Sequence, residues 1–273
     1  MANKEDLLNA ISLNSAMFNS ARVVGPAIAG LVVAAVGEGV CFLLNAVSFV
    51  AVIGCLLAMR IPRFVREVKD SPWSHLVAGL RYSYHHREVR AVLRMMAITT
   101  IAGMPAVVLM PFFADAIFHR GSEGLGFLMG AMGVGAVIGT LVLAGRTEVH
   151  GLPRVIAWSA ASSGACFLLF GVSPWFYASL LIMPVIGFST MRQLASANTL
   201  IQSLIPDEYR GRVMALYSIT VVGLGPFGSL AAGALAHHFG ARITVIAGGV
   251  LYLAAAAMFH SNLPVVQSPV EVH

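Results

Sequence analysis

The chain has 273 residues with a net charge of +5, yet charged residues make up only 11% of it and apolar residues 58%. Soluble globular chains carry about 25% charged residues, so this composition excludes that class and predicts an integral membrane protein. The positive charges lie in short loops between apolar runs rather than on one basic face, which excludes a nucleic-acid partner and leaves the lipid bilayer as the surrounding one.

Met1 to Asp6 is polar and leads into a full apolar span with no small-residue cleavage site, so no cleavable signal peptide is expected. Eight apolar stretches are long enough, or nearly so, to cross about 30 Å of hydrocarbon as helices. They fall near 11–36, 39–59, 95–118, 125–145, 155–172, 175–204, 213–236 and 243–260. Short breaks with turn chemistry separate them, among them Gly121-Ser122-Glu123-Gly124, Ser173-Pro174 and His238-Phe239-Gly240. A membrane barrel needs roughly ten-residue alternating segments, which are absent. The expected fold class is all-α, a polytopic transmembrane helical bundle.

The first span carries a cation, Arg22, near its middle. A charge at that depth costs roughly 2.5–3.5 kcal/mol on insertion scales and faces a protein interior or a watery cavity. Ser15, Asn19, Arg22 and Pro26 recur at three- and four-residue steps and form one polar stripe. That stripe is either the wall of a pathway or a satisfied polar contact between packed helices.

The segment 61–94 is the longest polar interval. Ser71-Pro72 is a helix-start signal, and Trp73, Leu76, Val77, Leu80 and Tyr84 then repeat at helical spacing. A short amphipathic helix at the membrane surface is expected, serving transport or acting as a plain tether. Arginines and lysines collect on one side of the eight spans, with only Arg120 and Arg242 on the other and Arg22 and Arg192 within spans. The positive-inside rule then places the 61–94 loop and both chain ends in the cytoplasm of a multi-pass protein of the cell membrane.

Compared with itself at an offset of 203, the chain matches Leu13 with Leu216, Ser15 with Ser218, Gly25 with Gly228, Gly30 with Gly233 and Gly37 with Gly240. The first span thus resembles the seventh, a spacing of six spans. Two six-helix halves are the architecture of major facilitator transporters. On that count 1–60 holds the last two helices of a first half, 61–94 the interdomain loop, 95–262 a complete second half and 263–273 a cytoplasmic tail. The first four helices are expected to be lacking.

The stretch from Glu5 to Gly37, together with LMPFFADAIF, GFLMGAMGVGAVIG and IPDEYRGRVMALYSITVVGLGPFGSLAAGALAHHFG, resembles the bacterial major facilitator subfamily of enterobactin-exporter-like and macrolide-efflux-like proteins. The resemblance runs from the fifth helix of that family to its twelfth. It implies a secondary active exporter, antiporter-like, that moves a siderophore or an amphipathic drug-like small molecule by alternating access. Gly25-Pro26-Ala27-Ile28-Ala29-Gly30 is similar to the Gly-Pro-rich motif in the fifth helix of drug antiporters, with Ala29 where that motif has a glycine. The basic latch expected between the eighth and ninth helices is reduced here to Ala144-Gly145-Arg146-Thr147-Glu148.

The candidate substrate pathway is Ser15, Asn19, Arg22, Arg192, Thr199 and Tyr217. Two guanidiniums offer planar bidentate donors to an anionic or catechol-like molecule; the alternative has each Arg bind backbone carbonyls or snorkel to an interface. Gly25, Pro26, Gly30, Gly135, Gly139, Gly228 and Gly233 are the candidate gating and helix-packing positions. A proton is the candidate coupling ion, but Asp115 is the one in-span acidic residue and sits toward the outer end, so a coupling carboxylate is expected on the missing helices. The Gly133–Gly139 run lacks dinucleotide spacing, and His85-His86 and His237-His238 have no neighbouring ligands in sequence. No cofactor, metal or enzymatic chemistry is expected. A rival reading is a truncated chain, inserted but inactive in transport; a dimer sharing helices is a third.

Overall fold

A computed structural model describes residues 38–58, 72–144 and 151–262 of the chain. The chain falls into two compact units, Met1–Lys69 and Asp70–His273. Within the first unit the described residues form α1, Glu38–Ala58, which is apolar around its whole circumference. Within it the Ser48 hydroxyl donates to the Asn45 carbonyl at 2.7 Å. The expected span near 11–36 lies outside the described residues, and with it Ser15, Asn19, Arg22, Gly25, Pro26 and Gly30. The latch at Gly145–Glu148 and the tail at 263–273 lie outside them too.

The second unit holds α2 (Pro72–His85), α3 (Arg87–Val108), α4 (Gly121–Ala144), α5 (Leu152–Val172), α6 (Phe176–Leu204), α7 (Asp207–Ser218), α8 (Gly225–Phe239) and α9 (Ala241–Ser261). A short turn and a π turn, Phe113–Ile117, prolong α3, and a second π turn, Ile219–Gly223, joins α7 to α8. No strand occurs among the described residues, and seven helical runs in them are long and apolar enough to cross a membrane. The all-α membrane bundle expected from the sequence is thus what forms.

Boundaries differ where polar turns prolong apolar runs. The third span, expected from 95, starts at Arg87, because Arg87, Glu88, Arg90 and Arg94 build two helical turns that hydropathy alone does not register. The seventh extends from Glu208 to Phe239 rather than from 213 to 236. Helix ends follow their punctuation: Gly240 (φ 85°) closes α8, Gly151 (φ 89°) precedes α5, and His119 and Gly121 turn with positive φ before α4.

In lipid, apolar surfaces gain nothing by leaving the solvent, so helices associate through close packing and interhelical hydrogen bonds. Both are visible. A Cβ on Gly135 of α4 would overlap the Pro184 carbonyl of α6, and one on Gly187 of α6 would overlap the Met132 carbonyl of α4. One turn along, Gly139 faces the Phe188 backbone. Helices α5 and α9 meet the same way, with a Cβ on Gly164 falling 3.0 Å from the Gly249 carbonyl and one on Gly249 3.0 Å from the Gly164 carbonyl. Gly228 of α8 lies against Ile101 and Met104 of α3.

The polar seam of the bundle is buried. Gln193 of α6, 1% exposed, donates through Nε2 to Thr99 Oγ1 of α3 at 3.0 Å, and the Thr99 hydroxyl donates to the Met95 carbonyl at 3.0 Å. The Tyr252 hydroxyl of α9 reaches the hydroxyls of Thr99 and Thr190, and Thr190 lies 3.3 Å from the Ser163 hydroxyl of α5. Four helices are pinned through one set of side chains. The Gln193 Oε1 and Ser196 Oγ atoms in the same layer are buried without a partner.

Two outcomes follow for stability. Gly135→Val or Gly187→Val, by overpacking a backbone contact, costs about 1–3 kcal/mol, whereas Gly133→Ala, with nothing within 4 Å, is silent; reversible unfolding in mixed micelles measures both. Gln193→Leu removes an orphaned acceptor together with its donor and stays within about 1 kcal/mol of the parent. Gln193→Ala opens a cavity and costs about 2–5 kcal/mol, as truncations in packed cores do.

Candidate functional site

Helix α6 carries two of the three polar candidates that lie among the described residues, and its rotation is fixed by the Gly135 and Gly187 contacts with α4. Its 29 residues exceed the roughly 20 that a bilayer requires, and Arg192 lies near the middle of the helix. Its guanidinium lies in a groove between α5 and α6 of about 490 Å³, together with Gly151 and Arg154 from the first turn of α5. Arg192 Nε is buried without a hydrogen-bond partner, and its guanidinium carbon stands 5.6 Å from the centre of the Phe188 ring. The groove floor is hydroxylic, with Ser189 Oγ donating to Ser162 Oγ at 3.0 Å.

The other pathway candidates of this unit lie elsewhere. Thr199 is exposed and its hydroxyl donates to the Ala195 carbonyl of its own helix at 3.1 Å. Tyr217 is 4% exposed and its hydroxyl donates to the Leu194 carbonyl at 3.0 Å, which ties the end of α7 to α6. The structure thus does not gather Arg192, Thr199 and Tyr217 into one cluster. The seam of Gln193, Thr99, Tyr252 and Thr190 is the constellation that the sequence reading missed. Only the helical register of Gln193 beside Arg192 hinted at it, and its partners come from α3 and α9, far off in the chain.

Of the packing candidates in this unit, Gly135, Gly139 and Gly228 take part in contacts inside the unit itself. Among the described residues Gly233 has nothing within 4 Å, and neither have Gly126, Gly130 and Gly133, which form one stripe on α4 at steps of four and three. Gly164, Gly187 and Gly249 also pack against the backbone of a neighbouring helix, outside the expected set.

The two ends of the unit differ in chemistry. At the end where α4, α6 and α9 begin, Arg120 stacks on Phe176 and Tyr177 at 5.5 and 5.6 Å, and Arg242 donates to the Val172 carbonyl at 3.3 Å. Asp115 lies at this end, exposed, inside the π turn Phe113–Ile117. The opposite end carries Arg87, Arg90, Arg94, Arg154, Arg210 and Arg212 on the termini of α3, α5 and α7. There α2 docks on α7: Gly79 approaches the Arg212 carbonyl to 3.0 Å from a built Cβ, and Tyr82 stacks between His86 at 3.8 Å and Tyr209 at 4.6 Å. Burial pushes the Tyr82 phenol up, with Tyr209 and Glu88 adding to it, so the neutral stacked form persists throughout the physiological range. The apolar Val77, Leu80 and Tyr84 stay exposed on the opposite face of α2, as an interfacial helix requires.

The seven membrane-length runs and this two-ended bundle coincide with what sequence comparison finds. A family model described as transmembrane secretion effector, of major facilitator type, matches residues 1–271. Among curated relatives, the MFS-type transporter YfmI of Bacillus subtilis strain 168 is 27% identical over 94% of this chain and 64% of its own length. The staphyloferrin A transporter of Staphylococcus aureus is 26% identical over 95% of this chain and 65% of its own, and the multidrug efflux pump Tap of Mycolicibacterium fortuitum 24% identical over 93% and 64%. The chain therefore spans just under two thirds of the length of these relatives. The match along nearly all of its residues places this multi-pass membrane protein in the transmembrane secretion effector family of major facilitator transporters.

Proposed function

We propose that the protein acts in secondary active export of an amphipathic small molecule, a siderophore or a drug-like compound, by alternating access across the cell membrane. The observation that carries the reading is the transmembrane secretion effector match over residues 1–271. The names of the staphyloferrin A transporter and the Tap efflux pump support the two substrate classes. The energy source is an ion gradient, with the proton as coupling ion, and no enzymatic step is involved. The basic end of the bundle and the C-terminus face the cytoplasm, by the positive-inside rule. Residues 1–60 belong to the first half of the transporter, 61–94 bridge the halves, and 95–262 form the second half.

In this reading Ser15, Asn19 and Arg22 line the pathway from the first half, and Thr199, with the α6–α7 junction that Tyr217 holds, lines it from the second. Gly25, Pro26 and Gly30 serve gating and helix packing in the first half. The stripe of Gly126, Gly130 and Gly133 on α4, with Gly233 on α8, meets nothing within 4 Å among the described residues, and small residues of this kind allow backbones to slide closely. Gly135, Gly139 and Gly228 keep the second half rigid while it moves.

Cells lacking their own efflux systems and expressing the protein accumulate less of an amphipathic fluorescent dye, and the difference vanishes when the proton gradient is collapsed. Equal accumulation with and without the protein, at verified membrane abundance, contradicts the proposal and favours the inactive chain. Arg22→Gln at equal abundance lowers export at least severalfold. Asp115→Asn leaves the pH profile of export in place; loss of pH dependence in that variant would assign the coupling proton to Asp115.

A further inference from the structure

The groove between α5 and α6 is more strongly built for an anion than a route for one transported molecule requires. Two guanidiniums, Arg154 and Arg192, face a space of about 490 Å³, and none of its lining residues among the described ones is acidic. Arg192 Nε is buried and unpartnered, a state that stays costly until an acceptor arrives. Ser159, Ser162 and Ser189 supply hydroxyls beside it. Helix α5 begins at this groove with Gly151 and no side-chain cap, so the positive end of a 21-residue helix adds to the two cations.

The surroundings identify the source of that anion. Arg154 is exposed on the first turn of α5, at the basic end of the bundle. Trp158, four residues on and about 6 Å deeper, is 69% exposed with its ring 6.4 Å from that of His260. A tryptophan at that level marks a headgroup boundary. Beyond it the flanks of α5 and α6 present Leu169, Leu181 and Val185 outward, all exposed apolar side chains suited to acyl chains. A phosphate between the arginines and hydrocarbon along the flank describe one ligand. We infer that this groove holds the phosphate of an anionic phospholipid from the leaflet at the basic end of the bundle. Basic pockets between membrane helices take such headgroups, and arginine pairs with phosphate in bidentate fashion.

Trp158 itself reports the occupant. With Trp73 and Trp175 replaced by Phe, the full chain is placed in nanodiscs of phosphatidylcholine doped with phosphatidylglycerol whose acyl chains are brominated near the headgroup. Phosphatidylglycerol at a few per cent quenches Trp158 strongly at 0.15 M salt, whereas brominated phosphatidylcholine at the same fraction does not. The double variant R154Q/R192Q raises the phosphatidylglycerol fraction needed for half-quenching roughly tenfold, and R154K/R192K, which keeps both charges, raises it less. Equal quenching by the two lipids, or an unchanged midpoint in R154Q/R192Q, overturns the assignment. Displacement of the lipid signal by millimolar inorganic phosphate at constant ionic strength overturns it in favour of a soluble anion. Helix content and elution volume of each variant confirm that a lost signal reflects the groove and not the fold.

Discussion

The approach of two helix backbones at Gly135 and Gly187 is the constraint from which the rest of this unit follows. In water a leucine seam would hold α4 against α6; in lipid that seam competes with acyl chains of equal apolarity. Removing side chains altogether lets the Pro184 and Met132 carbonyls come within van der Waals reach of the opposite helix. Once α6 is docked this way its rotation is no longer free. Gln193 then points into the bundle toward Thr99, Arg192 points into the groove beside α5, and the Leu194 carbonyl is presented to Tyr217. The same device recurs at Gly164 and Gly249 between α5 and α9. The bundle is a set of backbone contacts with a polar seam threaded through it.

Composition and hydropathy made the class, the seven spans among the described residues and most of their helix ends legible, because each rests on local chemistry. A charge-poor run of twenty residues becomes a helix in a bilayer whatever surrounds it, and a glycine at positive φ, as at Gly151 and Gly240, ends or starts one by itself. Azimuth was less legible. Gly130 and Gly135 look alike in the sequence, yet the first faces open space and the second a carbonyl. Gly187 was missed because it is a single glycine in α6, without the repeating stripe that exposed α4. What Arg192 meets was equally hidden: its guanidinium shares a groove with Gly151 and Arg154 at the start of α5, a neighbourhood that position along α6 does not reveal.

The polar groups of the unit divide by the way they are satisfied. Hydroxyls on Thr99, Thr140, Thr199 and Thr244 donate back to carbonyls of their own helices, which removes their cost in lipid without specifying a partner. Gln193 and Tyr252 cross between helices and specify who packs against whom. Arg120 and Arg242 are neutralised by aromatic faces and a helix-end carbonyl at one end of the bundle, whereas Arg192 is left with an unmet donor. Within this unit a polar group either locks the packing or stays open to something external. The open glycine stripe on α4 is the complementary feature, a surface that forms no contact among the described residues and suits one that slides.

The central claim is gradient-driven transport, and purified protein reports it without the background of a cell. Reconstituted into proteoliposomes with a proton gradient imposed, the native product moves a fluorescent amphipathic dye or a ferric siderophore against its concentration, and the movement stops when an ionophore collapses the gradient. Dye or siderophore distributing identically in protein-containing and protein-free vesicles, with insertion verified, would contradict the account.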